Sequence, residues 1–193
     1  MAKRTIENQV YGEMTYKEDY WVLKDKMCIE IAKKKYEIVV ELDVNYPLYE
    51  EFKLKLLPEG LMKHYSENTE LLEVAEAEKV FKMQERLFLM YSEVKKNEVC
   101  NNLEEAALKK REEILEGQTV ESFSKIVGKE KAKRCFAAKT REEKLASLEL
   151  KKMRIFKDCI EIKCTCDWFK PSGGFSIFED GSVEMVYVDS LSF

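Results

Sequence analysis

Residues 36–43 alternate without a break: Tyr36, Ile38, Val40 and Leu42 fall on one side of an extended chain, Glu37, Val39, Glu41 and Asp43 on the other. A period of two lines one face of a strand but scatters around a helix, so this stretch predicts a half-buried strand and a sheet for it to belong to. Upstream, Val10, Met14 and Tyr16, then Tyr20–Leu23, then Met27, Ile29 and Ile31 supply further strand material, and Ala32–Lys35 reads as a hairpin turn. The lysines of that turn discourage pairing with another chain's edge. A strand meander is expected from about residue 9 to 43.

At Tyr46-Pro47 the period changes to that of a helix, with Pro47 suited to a first helical position because no N–H is needed there. Leu48, Tyr49, Phe52, Leu56 and Leu57 share a face before Pro58 and Gly60 interrupt it. A long helix is expected from Asn68 or Thr69 to about Lys96, with Val80, Met83, Leu87, Met90 and Val94 beside a second stripe of Val74, Ala77, Phe81, Phe88 and Tyr91. Two adjoining stripes predict packing into the domain's own core rather than a zipper to another chain. Asn102 with Glu105 resembles a capping box for a helix through Ile114 and Leu115, ended by Gly117. Thr119–Val127 and Lys129–Ala138 read as short helices separated by Gly128, and Thr140 with Glu143 opens another with Leu145, Leu148 and Leu150 inside.

After Lys151 the period returns to two. Phe156, Ile160, Ile162, Cys164, Cys166 and Trp168 share a face opposite Lys157, Glu161, Lys163, Thr165 and Asp167, which predicts one long strand. Pro171-Ser172-Gly173-Gly174 is expected to break it, Phe175–Phe178 to form the next strand, and Glu179-Asp180-Gly181-Ser182 to turn a hairpin into Val183–Val188. The expected fold class is α+β: an antiparallel sheet from N- and C-terminal strands with a mainly helical middle segment, in a single domain over residues 1–193, with strands at about 9–43, helices at about 46–150 and strands at about 152–190.

Composition narrows the partners. The 33 basic and 37 acidic residues give a net charge of −4 and are interspersed, which argues against a phosphate backbone as ligand. The densest basic stretch, Lys125 to Lys139, reads as a solvated helix face. The chain opens Met-Ala-Lys-Arg and then turns polar, and no stretch approaches a membrane span, so a cytoplasmic setting is expected, with no nucleic acid and no membrane among its partners. There the six cysteines, Cys28, Cys100, Cys135, Cys159, Cys164 and Cys166, stay reduced and read mostly as buried small apolar side chains.

Catalytic signatures are sparse. Cys164 and Cys166 are two apart on a strand, whereas zinc prefers a Cys-x-x-Cys turn with a second ligand pair, so no metal or other cofactor is expected. A thiolate nucleophile needs a base, and the only histidine is His64, about a hundred residues away in sequence. Glu50-Glu51, Glu104-Glu105, Glu112-Glu113 and Glu142-Glu143 lie in helix-forming stretches and single out no acid/base pair. The sequence holds no phosphate loop and no Gly-x-Ser-x-Gly. Trp21, Trp168, Phe169 and Phe175 are either core or an exposed docking patch. Trp168 reads as core and Phe169, on the opposite side, as an exposed anchor.

The run Cys164-Thr-Cys-Asp-Trp followed by Phe175-Ser-Ile-Phe-Glu-Asp-Gly-Ser-Val resembles the closing hairpin of a bacterial domain-of-unknown-function family, in which a Cys-Asp-Trp strand precedes a Phe-x-Asp/Asn-Gly-x-Val hairpin. Tyr11-Gly-Glu-Met, Trp21, Ile29-Glu-Ile and Lys35-Tyr-Glu-Ile resemble its opening strands, so that the likeness covers about two fifths of the chain, at its two ends. The resemblance implies a cytoplasmic bacterial α+β domain of the kind that serves as an immunity or interaction protein beside a toxin. Where that family commonly carries Asp-Glu-Glu-His after the Trp, this chain has Phe169-Lys170-Pro171-Ser172, which departs from any acidic site there. The expectation is therefore a non-catalytic protein-binding or toxin-immunity-like domain contacting its partner through Asp167, Phe169, Lys170 and Ser172. The alternative is an enzyme that uses a cysteine thiolate on a small substrate.

Overall fold

The computed structural model describes residues 5–8, 11–17, 20–43, 96–156 and 159–187. The helices expected between Pro47 and about residue 95, and His64 with them, lie outside the described residues. The N-terminal strands are β1 (Thr5–Asn8), β2 (Gly12–Lys17), β3 (Tyr20–Leu23), β4 (Met27–Ile31) and β5 (Lys34–Asp43). Among the described residues four helices follow, α1 (Lys96–Leu115), α2 (Val120–Val127), α3 (Lys129–Ala137) and α4 (Arg141–Leu145), and then β6 (Glu149–Ile155), β7 (Cys159–Cys166), β8 (Phe169–Phe178) and β9 (Val183–Tyr187). The fold is α+β.

Both strand groups share one mostly antiparallel sheet, in the order β1-β2-β3-β5-β6-β7-β8-β9, with β4 pairing the N-terminal half of β5. The exception to antiparallel pairing is β5 with β6, which run parallel where the helical segment carries the chain across. The alternation of β5 is realised, with Tyr36, Ile38, Val40 and Leu42 all buried. Ala32 and Lys33 make the β4–β5 turn at φ +48° and +66°, the doubly left-handed geometry that matches strand twist.

Caps and glycines set the helix ends. Gly117, at φ +69°, follows α1. Thr119 caps α2 through its side chain, Ser122 returns the bond, and Gly128 (φ +95°) separates α2 from α3. Thr140 and Glu143 form the expected capping box on α4. Asn102 is not a cap: it lies inside α1, and its amide donates to the Gly181 carbonyl at 3.0 Å, tying the helix to the β8–β9 turn. Along α1, Val99, Leu103, Ala107 and Arg111 form a buried ridge in steps of four.

The C-terminal strands divide differently from the period-two reading. The helix opened by Thr140 stops at Leu145, and Leu148 and Leu150 are buried from a turn and from β6. The long strand is two antiparallel strands, β6 and β7, with Phe156 N–H donating to the Cys159 carbonyl at 2.9 Å. Ile155 pairs Ile160, five positions on, so the inward set changes parity between the two strands, and Phe156, also buried, kept the period-two pattern looking unbroken. Equally, Pro171–Gly174 does not break a strand but lies inside β8. The hairpin turns earlier, at Asp167-Trp168, with Cys166 opposite Phe169. Between that pair and Cys164 opposite Gly173, Lys170, Pro171 and Ser172 stand against Thr165 alone, a bulge that accommodates a proline with no N–H for the ladder.

The helix-covered face holds Ile160, Ile162, Cys164, Phe175 and Ile177. The opposite face has its own buried row, Glu41, Arg154, Glu161 and Ser176, in register across β5, β6, β7 and β8. Glu41 accepts from Arg154 Nε at 2.8 Å and from Lys152 Nζ at 2.7 Å.

Candidate functional site

Beside the Asp167-Trp168 turn, α1, α3 and α4 leave a cleft of about 350 Å³, lined by Arg111, Arg134, Lys144, Ser147, Asp167 and Trp168 among others. The turn projects Asp167 from the sheet edge toward α3. Arg134 donates to Asp167 Oδ2 through Nη2 at 2.6 Å and Nε at 3.1 Å, and Lys131 lies 3.2 Å from Oδ1. Partial burial pushes the Asp167 carboxyl up, but the Arg134 and Lys131 partners outweigh it and hold the pKa below the usual carboxylate value. The Asp167 N–H donates to Ser147 Oγ at 3.1 Å. Glu143, also on the cleft, accepts from the N–H groups of Lys139 and Thr140, which lowers its pKa.

Two buried donors in the cleft wall are unpaired. Arg111 is 5% exposed and its Nη2 donates to the Cys135 carbonyl, yet its Nε–H has no acceptor. Burial lowers its pKa from the ordinary arginine value. Among the described residues no carboxylate lies within ion-pair distance of it. Trp168 is 1% exposed and its indole Nε1–H likewise has no acceptor. A wider groove of about 550 Å³ near Glu30 and Cys100 differs in that both its cations have carboxylate partners: Arg141 with Glu104 at 3.0 Å and Lys33 with Glu142 at 2.7 Å, while Ala32 N–H donates to Glu104 at 2.5 Å.

The four sequence-derived surface residues separate. Asp167 lies on the cleft and Lys170 is exposed beyond it; Ser172 lies in the β8 bulge. Phe169 is not an exposed anchor: it is 1% exposed, edge-on to Trp168 at 6.1 Å and 4.5 Å from the Tyr187 ring. Its phase was counted along a continuous strand, whereas the turn at Asp167-Trp168 and the bulge after Lys170 return it to the core. Trp21 and Phe175 are buried too, so these aromatics make core and not a docking patch. In the basic stretch, Lys125, Lys129 and Lys133 are exposed, while Lys131 and Arg134 are engaged by Asp167.

The cysteines are all free thiols; Cys135, Cys164 and Cys166 are buried, Cys100 and Cys159 are partly buried, and Cys28 is exposed. Burial pushes the Cys164 thiol up to about 12 and raises Cys166 and Cys135 as well. Among the described residues no three His, Cys, Asp or Glu side chains converge on a metal position, and no helix is long and apolar enough to cross a membrane.

Sequence reasoning missed Arg111. The available signal was its place on the Val99, Leu103, Ala107 ridge, where a cation stands at the next inward step. The fold and cleft define an α+β protein with a cationic, donor-lined recess at a hairpin turn. No protein-family model, no curated protein and no solved structure matches the chain.

Proposed function

We propose that the protein is a non-catalytic binding protein of the bacterial cytoplasm that occludes or sequesters a protein partner in the manner of an immunity domain. The contact face on this reading is the corner at Asp167–Lys170 with α3 beside it. The observation that carries the reading is the anchoring of the corner: Asp167 is ion-paired by Arg134 and Lys131, and the Trp168 and Phe169 side chains are buried in the core. A pre-organised surface loses little conformational entropy on binding. The likeness of the C-terminal run to the bacterial family supports the same class. A thiolate enzyme is disfavoured, because burial raises the pKa of Cys135, Cys164 and Cys166, the reverse of what a nucleophile needs.

The test is affinity capture from extract of the source cells with the tagged chain and with Lys170→Glu, which reverses an exposed charge at the corner. A stoichiometric protein held by the wild type and lost by the variant, with unchanged melting of the variant, is the expected result. Equal capture by both removes this face, and no capture by either removes the protein-binding reading. Phe169→Asp is unsuitable, since a buried carboxylate there unfolds the corner.

A further inference from the structure

A guanidinium stays charged at any physiological pH, and a buried one without a counter-charge is strongly unfavourable. Arg111 is in that position, at 5% exposure with an unpaired Nε–H. The Trp168 indole N–H, unpaired and 1% exposed, lines the same cleft, as does Ser147, whose hydroxyl accepts from Asp167 and retains its own proton to donate. Native proteins pair nearly all such buried groups, so two orphaned donors on one recess point to an acceptor that comes from outside the chain. The acceptor's sign follows from the charges around it. Asp167 is ion-paired by Arg134 and Lys131, and Glu143 keeps its charge while accepting from two N–H groups at a helix start. Of the cations that line the cleft, Arg134 and Lys144 have carboxylate partners and Arg111 has none among the described residues. A volume of about 350 Å³ is at the lower end for ligand pockets and suits a compact molecule.

We propose that this cleft binds a small oxyanion, a carboxylate or phosphate group on a compact molecule, with Arg111 supplying charge and Trp168 Nε1 a directional hydrogen bond. This site goes beyond the protein-binding reading and stands whether or not a partner docks at the corner. Carboxylate and phosphate share the required chemistry, planar or tetrahedral oxygens that accept from a guanidinium.

The chain has two tryptophans, so an amide spectrum of the labelled full chain carries two indole N–H signals, assigned with Trp21→Phe. Titration with inorganic phosphate or with succinate, against sodium chloride of equal ionic strength, is expected to move the Trp168 signal saturably and leave Trp21 in place. The melting temperature should rise by about 5 °C or more at a hundredfold excess over half-saturation. Arg111→Met should lose both responses while keeping its melting temperature in chloride. Trp168→Phe, which retains the ring and removes the N–H, should weaken binding about tenfold or more by the melting shift, and it covers the case in which Arg111→Met does not fold. A response to phosphate alone assigns a phosphate-bearing ligand, to succinate alone a carboxylate, and to both a general oxyanion site. The proposal is overturned if neither probe moves the Trp168 signal beyond the chloride control, or if folded Arg111→Met responds like the wild type.

Discussion

Glu41 offers a sharp test of what holds the two halves of the sheet in register. It sits on β5 opposite Arg154 of β6, at the parallel junction between the N- and C-terminal strands. The side chains of Glu41 and Arg154 are each 9% exposed and meet at 2.8 Å, while Lys152, 37% exposed, reaches the other carboxylate oxygen at 2.7 Å. Glu41→Ala leaves the Arg154 guanidinium in the interior without this counter-ion, and breaking a buried pair from one side costs about 3–5 kcal/mol. The lower end is expected, because Lys152 can turn to water and Glu161, a second buried carboxylate, is the cross-strand neighbour of Arg154. About 3 kcal/mol corresponds to a fall of about 6–12 °C in melting temperature for a chain of this size. Replacing both groups, Glu41→Leu with Arg154→Leu, removes the stranded guanidinium but leaves the buried Glu161 without its cationic neighbour, so it should recover only part of the loss. Urea unfolding followed by circular dichroism measures all three proteins. A loss below about 1 kcal/mol for Glu41→Ala, the range of a surface pair, refutes the claim that this charge is buried and structural.

Gly173→Ala should destabilise by about 1–3 kcal/mol in the same assay, since the added Cβ meets the Phe169 ring at 2.6 Å and the Val186 carbonyl at 3.0 Å; a neutral result would show that the ring is free to move aside. Native alkylation followed by peptide mapping should label exposed Cys28 first and Cys164 and Cys166 only on unfolding, and rapid labelling of Cys164 would revive the thiolate reading. Because the folded pKa of Asp167 is depressed, its ion pairs contribute stability that is full above the ordinary carboxylate value of 3.8 and lost as pH falls through the lower folded value. The stability gap between wild type and Asp167→Asn should therefore be constant near neutrality and shrink below that value, and a gap that widens in acid contradicts the linkage.

Period and capping carried much of the fold into the sequence. The inward set of β5, the Asp180-Gly181 turn and the Thr140 cap are local signals, and each is realised, whereas the cap expected at Asn102 is not. Errors arose where a local rule has no power to see a turn. The parity change between Ile155 and Ile160 is masked by Phe156, a buried apolar residue in the opposite phase, and Pro171–Gly174 looks like a breaker because a bulged strand and a loop share the same residues. Gly173 is needed there for a tertiary reason: the Phe169 ring covers it on the way to Tyr187, the strand partner of Gly173. For the candidate site, Asp167 was legible as a polar residue beside Trp168, but its partners come from a helix more than thirty residues away in sequence. Arg111 was hidden by its chemistry, since an arginine on a helix reads as solvated unless its ridge is followed inward.

The two buried arginines show why that distinction matters for function. Arg154 lies among groups of the same chain that answer its charge, with Glu41 in hydrogen-bond range and Glu161 as its strand neighbour. Arg111 has a carbonyl on one nitrogen and an unpaired Nε–H, at the wall of a recess rather than within a sheet. Both side chains are buried, at 8% and 5% exposure, and the lack of a carboxylate at Arg111 among the described residues is the ground for the proposed external oxyanion. The consequence is a difference in sign. Removing the counter-ion of Arg154 destabilises the free protein, whereas Arg111→Met, which fills similar volume without charge, should leave it as stable or more so and lose only the response to an oxyanion. A marked loss of stability in Arg111→Met, with no such response in the wild type, would instead make Arg111 a structural tie between α1 and the Cys135 carbonyl.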